Sequence, residues 1–353
     1  MQINDAGGVA SGTTRVKLGV RVVDSEASPE KTAANVRDAI SLGAVAVVDE
    51  GTGVDASWQM ANAAGLPIGI VYQGASALVD PVKRPDVYRI APTDRGIGFR
   101  FAEYLIPKGL KIAFLHDDST YGSGGARAFA SAFARNRSSV AASIPVAADA
   151  TDVSTEVLRA RRSNATALLV WARPSIVALA IRAARSTGWT VPVYASTSGG
   201  DPIVRQQLSD HPEWVDGLTF ASSRLTSEKG PGPYQAFRSA YEKRFGVERV
   251  GVTSDGKAVV QVPDQAMYSY DFVRVLAAAI TKAGAATPGR ALVKALEQVT
   301  VQGANGDERG FNEVNHEGVV DDDVFFAVFH AMVWTPVKDD RLSASLPPIR
   351  QTI

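Results

Sequence analysis

The residues whose types and spacing suit chemistry are short loops of glycine and hydroxyl residues, each placed after an apolar run. Gly51-Thr52-Gly53 follows the run Ala44 to Val48 and precedes a segment of helical periodicity. Two glycines let a backbone approach a ligand, a helix start presents unbonded N–H groups and a positive dipole end, and the Thr52 hydroxyl adds a donor. That set suits a small anion, a carboxylate being the simplest, although a tight turn without a ligand satisfies the same spacing. Gln73-Gly74-Ala75-Ser76 follows the next apolar run with the same kind of donors, and two such loops side by side favour binding. Asp94-Arg95-Gly96 opens a further helical segment, in which Asp94 reads first as an N-cap. In the stretch His116 to Gly125, Tyr121 offers a ring that can stack on a ligand or simply pack. Arg127 stands there in place of the last glycine of G-x-G-x-x-G and no G-K-[ST] follows, which disfavours a nucleotide phosphate site. Arg173, just past the run ending at Trp171, has the fork that pairs with a carboxylate, or else it is solvated.

Catalytic sets are thin. His116 lies beside Asp117 and Ser119, but chain neighbours seldom converge as a triad, and no G-x-S-x-G turn is present. The chain has no cysteine, which removes thiolate chemistry and disulfides, and its four histidines show neither H-x-x-x-H nor H-E-x-x-H spacing. Asp321-Asp322-Asp323 lacks the spacing of a calcium loop and reads as a solvated acidic turn. The expectation is a binding protein with no metal and no cofactor, not an enzyme. Lys plus Arg number 37 and Asp plus Glu 37, so the net charge is zero and no field draws nucleic acid or an anionic membrane.

The elements that must hold these loops alternate short apolar runs with longer amphipathic segments, the pattern of βαβ units around a parallel sheet. Strands are expected at Val16 to Val23, Ala44 to Val48, Ile68 to Tyr72, Lys111 to Leu115, Ala167 to Trp171, Val191 to Tyr194 and Leu218 to Ser222. A helix starts at Ser28-Pro29-Glu30 and runs to Gly43; a second, capped by Asp55 or Ser57, ends at Gly65. Ile176 to Ser186, Tyr234 to Phe245, Tyr268 to Ala283 and Arg290 to Gln298 read as helices, Ser227 to Pro233 as a turn-rich connection, and Val324 to Val333 as one or two strands. At roughly 150 residues per domain, 353 residues make two lobes. No run of 18 apolar residues occurs, and the start Met1 to Gly8 lacks the basic and apolar regions of a signal peptide.

Taken in order, Ile3 to Val9, Val16-Lys17-Leu18, Asp24 with Pro29, Gly65-Leu66-Pro67 leading to Gly74-Ala75-Ser76, Tyr88-Arg89 with Asp94, His116-Asp117 with Tyr121-Gly122, Phe237 with Tyr241 and Phe245-Gly246, and Tyr270-Asp271 with Ala279 and Gly284 form a series. That series resembles the type I periplasmic solute-binding proteins of the leucine/isoleucine/valine-binding group over nearly the whole chain. The resemblance implies an α/β fold of two doubly wound parallel-sheet lobes closing on a solute by hinge motion. Lobe 1 would comprise 1–93 with 224–330 and lobe 2 94–223 with 331–353, with crossings near 93–95, 221–224 and 330. It further implies an exported, periplasmic, monomeric protein that passes its solute to ABC permease subunits. Position by position, Thr52, Gly53, Gly74, Ala75 and Ser76 would grip a carboxylate from lobe 1, Tyr121, Arg173 and Thr197 would come from lobe 2, and Asp94 would lie at a hinge.

Two departures qualify the resemblance. The family's amino-acid binders place an acid after the strand matching Val191 to Tyr194, whereas Ala195 to Gly200 contains none before Asp201. This argues for a carboxylate without an α-ammonium, an aromatic or short-chain acid, over a branched-chain amino acid. The family's first strand and helix, a unit of roughly 30 residues, also have no counterpart here, so lobe 1 is expected to lack them. A ligand-sensing domain of a signalling system is the alternative to a transport receptor.

Overall fold

The computed structural model describes residues 2–223, 232–347 and 349–353, and its contacts divide the chain into two compact units. The first comprises Met1–Ala91 and Asp264–Val319, the second Pro92–Pro263 and Val320–Ile353.

In the first unit a three-stranded parallel sheet runs in the order Val47–Asp49, Ile68–Ile70, Val87–Arg89. The helix Pro29–Ser41 begins where Ser28 Oγ accepts a hydrogen bond from Lys31 N at 3.3 Å, with proline in its first turn. The helix Val54–Ala64 ends at Gly65, whose φ of +62° and whose 2.6 Å gap between a notional Cβ and Gly289 Cα both exclude a side chain. Neither Asp55 nor Ser57 caps that helix. Gly53 holds the N-cap position without a side-chain bond, and Ser57 Oγ instead donates back to Gly53 O at 3.0 Å. Val36, Val54, Ala61, Leu66, Ile68, Ile70 and Val87 form the core beside these helices. The long helix Ala266–Ala283 lays Phe272 on Gly69 of the middle strand, where a Cβ would come within 2.5 Å of the ring.

The expected strand Val16 to Val23 does not form. Only Thr14–Val16 is strand, paired with Val9–Ser11, and Val20 and Val22 beyond it are 83% and 88% exposed. A strand needs a ladder partner for its N–H and C=O groups. Here the Asn4 side chain serves Leu18 instead, its Nδ2 donating to Leu18 O at 2.8 Å and its Oδ1 accepting from Leu18 N at 2.9 Å.

The second unit is built on a seven-stranded sheet in the order Val333–Pro336, Phe325–His330, Thr219–Ser222, Val193–Ala195, Ala167–Trp171, Ile112–Asp117, Ala142–Val146. The five strands from Thr219–Ser222 onward are parallel, while Phe325–His330 is antiparallel to both of its neighbours. Ala167–Trp171 is buried throughout, and its alternate residues face different cores. Leu168 and Val170 meet Ile176, Val177, Ile181 and Ala184, whereas Leu169 and Trp171 meet Phe101, Phe129 and Phe133. A strand covered on both faces therefore reads as a continuous apolar run.

The division of the chain differs from the expected one. Residues 232–263 and 320–330 lie in the second unit, because Val250, Val259 and Val262 share a core with Met332 and Trp334. The units change at 91/92, 263/264 and 319/320, away from the crossings expected at 221–224 and 330. The connection Ser227 to Pro233 falls largely outside the described residues, of which it keeps only 232 and 233.

Candidate functional site

In parallel sheets ligands gather beyond the carboxyl ends of the strands, and in the first unit two turns stand there. In the turn after Val47–Asp49, Gly51 adopts φ +119°, and a Cβ on it would lie 2.4 Å from Gln73 Cβ. Two of its amides, those of Gly51 and Thr52, are not open, contrary to the expectation. Gly51 N donates to Asp49 Oδ1 at 2.7 Å and Thr52 N to Glu50 Oε1 at 2.9 Å. An acid two residues before an amide closes this kind of turn on itself; the Asp49-Glu50 pair was the signal for it in the sequence. Burial pushes the Asp49 carboxyl up, against the pull of the Gly51 amide.

The turn after Ile68–Ile70 is arranged the other way. Arg89 is fully buried and spends Nη1 on the carbonyls of Gln73 and Ala75, at 2.9 and 3.0 Å. Its remaining donors pair with Glu317, Nε to Oε2 at 2.7 Å and Nη2 to Oε1 at 2.5 Å. With those carbonyls drawn onto the guanidinium, the amides of Gly74, Ala75 and Ser76 donate to no protein acceptor among the described residues. Gln73 ties the two turns together, its N donating to Glu50 O at 2.8 Å and its Nε2 to Thr52 Oγ1 at 3.2 Å. Thr32, 2% exposed, fills the space beside Gly53, where a Cβ would lie 2.2 Å from Oγ1.

In the second unit the strand ends carry a hydroxyl cluster. The Tyr121 hydroxyl donates to Ser196 Oγ at 2.8 Å and lies 3.4 Å from Thr197 Oγ1, and Ser196 Oγ is 2.9 Å from Ser198 Oγ. The Tyr121 ring is buried and packs 6.3 Å from the Trp171 ring, so it supports this cluster. Burial drives the Tyr121 hydroxyl pKa up, and the nearby Asp94 carboxylate adds to that. Thr197 is half-buried. Asp117 accepts from Arg173 N at 2.7 Å and from both the amide and the hydroxyl of Ser119, which joins the ends of two neighbouring strands. The Arg173 side chain itself is exposed.

Asp94 is not the cap of its helix. Thr93 holds that position, its Oγ1 accepting from Gly96 N at 2.9 Å, and Asp94 is the first helical residue, 2% exposed. Among the described residues His116 hydrogen-bonds only to the Asp117 carbonyl, at 3.2 Å, while the Asp117 carboxylate serves Ser119 and Arg173, so His116, Asp117 and Ser119 do not form a relay there. Among the described residues no group of three or more His, Asp or Glu side chains converges in a way that would hold a metal ion. No described helix is long and apolar enough to cross a membrane. Arg89, a landmark of the resemblance but not a site candidate, and Glu317 are the residues that sequence reasoning did not place at the site. An arginine between Tyr88 and Ile90 in a buried strand was their signal, because a buried guanidinium requires a carboxylate.

Comparison with known proteins agrees with this architecture. Among curated proteins no relative matches. Among solved structures, a type 1 periplasmic binding protein from Bordetella pertussis Tohama I superposes with a TM-score of 0.81 at 20% identity, covering 95% of this chain and 92% of its own. The branched-chain amino acid substrate-binding protein LivJ of Streptococcus pneumoniae, solved with isoleucine, gives 0.78 at 18% identity, covering 95% and 90%. An ABC transporter solute-binding protein of Rhodopseudomonas palustris BisB5, solved with 3,4-dihydroxybenzoic acid, gives 0.73 at 16%, covering 93% and 85%. At these identities the likeness is one of fold, the type I periplasmic binding protein fold. The family model described as periplasmic binding protein matches residues 1–329, and with the two-unit parallel-sheet architecture this shows that the chain belongs to the periplasmic binding protein family.

Proposed function

We propose that the protein is the extracytoplasmic solute-binding component of an ABC transporter and holds a small carboxylate-bearing solute without chemical change. The observation that carries this reading is the turn Gln73–Ser76. Its carbonyls are bound to Arg89, and the amides of Gly74, Ala75 and Ser76 have no protein acceptor among the described residues. Successive backbone amides left without a protein acceptor suit a carboxylate, since each charge-assisted bond is about twice as strong as a neutral one. The adjoining Gly51-Thr52 turn is closed on Asp49 and Glu50, and its two acids disfavour an anion there, which supports the second turn as the carboxylate's seat with Thr52 and Gly53 bordering the solute. On the second unit by itself, the half-buried Thr197 hydroxyl and the exposed Arg173 guanidinium are the groups open to a solute, and Tyr121 positions Thr197.

Related folds have been solved with isoleucine and with 3,4-dihydroxybenzoic acid, so both classes belong in the test. The protein is screened by thermal shift against branched-chain amino acids, aromatic acids and short-chain acids. A solute at a hundred times its Kd stabilises the native state by about 2.7 kcal/mol. Binding is expected for an acid and not for the corresponding amide, with the solute recovered unaltered. Equal shifts for acid and amide, no shift with any acid, or a chemically changed solute would each overturn the reading.

A further inference from the structure

We infer that Gln73 determines which acid is taken, by accepting a hydrogen bond from a hydroxyl or ammonium group that the solute carries besides its carboxylate. This rests on the carboxylate reading above and deepens it. The Gln73 side chain is 6% exposed and lies over Gly51, with its Cβ and Cγ at 2.4 and 2.7 Å from where a Gly51 Cβ would stand. One end of its amide is used, Nε2 donating to Thr52 Oγ1 at 3.2 Å, and the other end, Oε1, is buried with no partner among the described residues. The main chain of the same residue is fixed at both sides, N to Glu50 O at 2.8 Å and O to Arg89 Nη1 at 2.9 Å, which holds the backbone that carries this side chain in place.

A buried acceptor without a donor is costly, and such groups persist where a ligand completes them. A second one adjoins the same turn. Thr32 Oγ1, against Gly53, is also buried without a partner among the described residues. Glycine at Gly51 and Gly53 leaves the space that Gln73 and Thr32 occupy, so both side chains pack against the turn after Val47–Asp49, and Gln73 is itself the residue before the amides of Gly74 to Ser76. A solute with a carboxylate on those amides then presents its neighbouring donor to Oε1. A site built to hydrogen-bond a substrate hydroxyl or ammonium rejects the analogue that lacks it, because the protein group is left unpaired.

The test measures affinities by calorimetry for two pairs of probes, leucine against 4-methylpentanoate and 3,4-dihydroxybenzoate against benzoate, with wild type, Gln73→Leu and Gln73→Met. The unbranched methionine variant guards against a packing failure of the leucine one. Wild type is expected to favour the donor-bearing member of at least one pair by about tenfold or more, and both variants to bring that ratio below about threefold. The melting temperature of the unliganded variants is expected to hold or rise, since an unpaired buried group has been removed. Equal loss of affinity for both members of a pair would make Gln73 a structural tie and overturn the inference. So would a preference unchanged in the variants, or its absence in wild type, and in these cases the carboxylate reading would stand. Failure of wild type to bind any of the four acids would instead overturn the carboxylate reading and this one with it.

Discussion

Arg89 shows what a single residue does in this fold. Its side chain is buried with a partner, Glu317, that is itself partly exposed, and it organises the Gln73–Ala75 carbonyls. Glu317→Gln keeps the shape but leaves the guanidinium without a countercharge, a change that costs about 3 kcal/mol when a buried pair is broken. Urea unfolding is expected to show a loss of about 3 kcal/mol, the low end of that rule because Glu317 is partly exposed, together with weaker solute binding; an unchanged midpoint would mean that the pair does not hold the turn. At Gly51 the argument is steric. With φ at +119° and Gln73 Cβ 2.4 Å from a notional Cβ, Gly51→Ala is expected to destabilise by about 1 to 3 kcal/mol and to weaken binding by displacing Gln73. Residue types marked these loops in the sequence, but polarity of use was hidden there. Gly51 and Thr52 amides turned out to face their own acids, and the Tyr121 ring to be buried under Ser196, because which partner a donor finds is decided in three dimensions.

Among elements, those defined by local chemistry were legible. Ala167–Trp171 appears with the bounds its apolar run implied, Pro29–Ser41 begins at the proline that suits a first helical turn, and the helix expected from Ile176 starts two residues earlier, at Pro174. Elements that depend on a distant partner were not. Val16 to Val23 has the alternation of a strand, yet with no neighbour to pair with it beyond Val16 it is irregular, its valines in water. Caps lie between these cases, since several hydroxyls or acids near a helix start compete and backbone angles choose among them. Thr93 is extended at ψ 147°, the cap geometry, whereas Asp94 is already helical. Thr93→Ala is therefore expected to cost about 1 kcal/mol through loss of its bond to Gly96 N, measured by chemical denaturation. A stability unchanged by that substitution would remove Thr93 from the role.

At the scale of the molecule, the overall class and the two units followed from the alternation and the ordered landmarks, whereas the allotment of 232–263 depended on which core Val250 and Val259 joined, a long-range matter. The same long-range packing leaves a pH signature in the first unit. Asp86 and Asp271 are each 1% exposed, and burial raises both carboxyls to about 6 despite Arg290 near the one and the Ala304 amide and Arg309 near the other. In the unfolded chain these acids titrate near 3.9. Between roughly pH 4 and 6 these two groups therefore hold protons in the folded protein that the unfolded chain has released, and their contribution to stability falls as pH rises through that window. Each group can contribute up to about 3 kcal/mol, from two pKa units at 1.36 kcal/mol apiece. Asp86→Asn, which stays neutral, is expected to flatten this decline and to stabilise the protein at pH 7 relative to wild type, read from urea midpoints across pH 4 to 7. Asp271 accepts the Ala304 amide at 2.7 Å, a bond an asparagine oxygen can keep, so Asp271→Asn should act in the same direction. A decline of undiminished slope in both variants would show that the two carboxyls ionise without hindrance inside the fold.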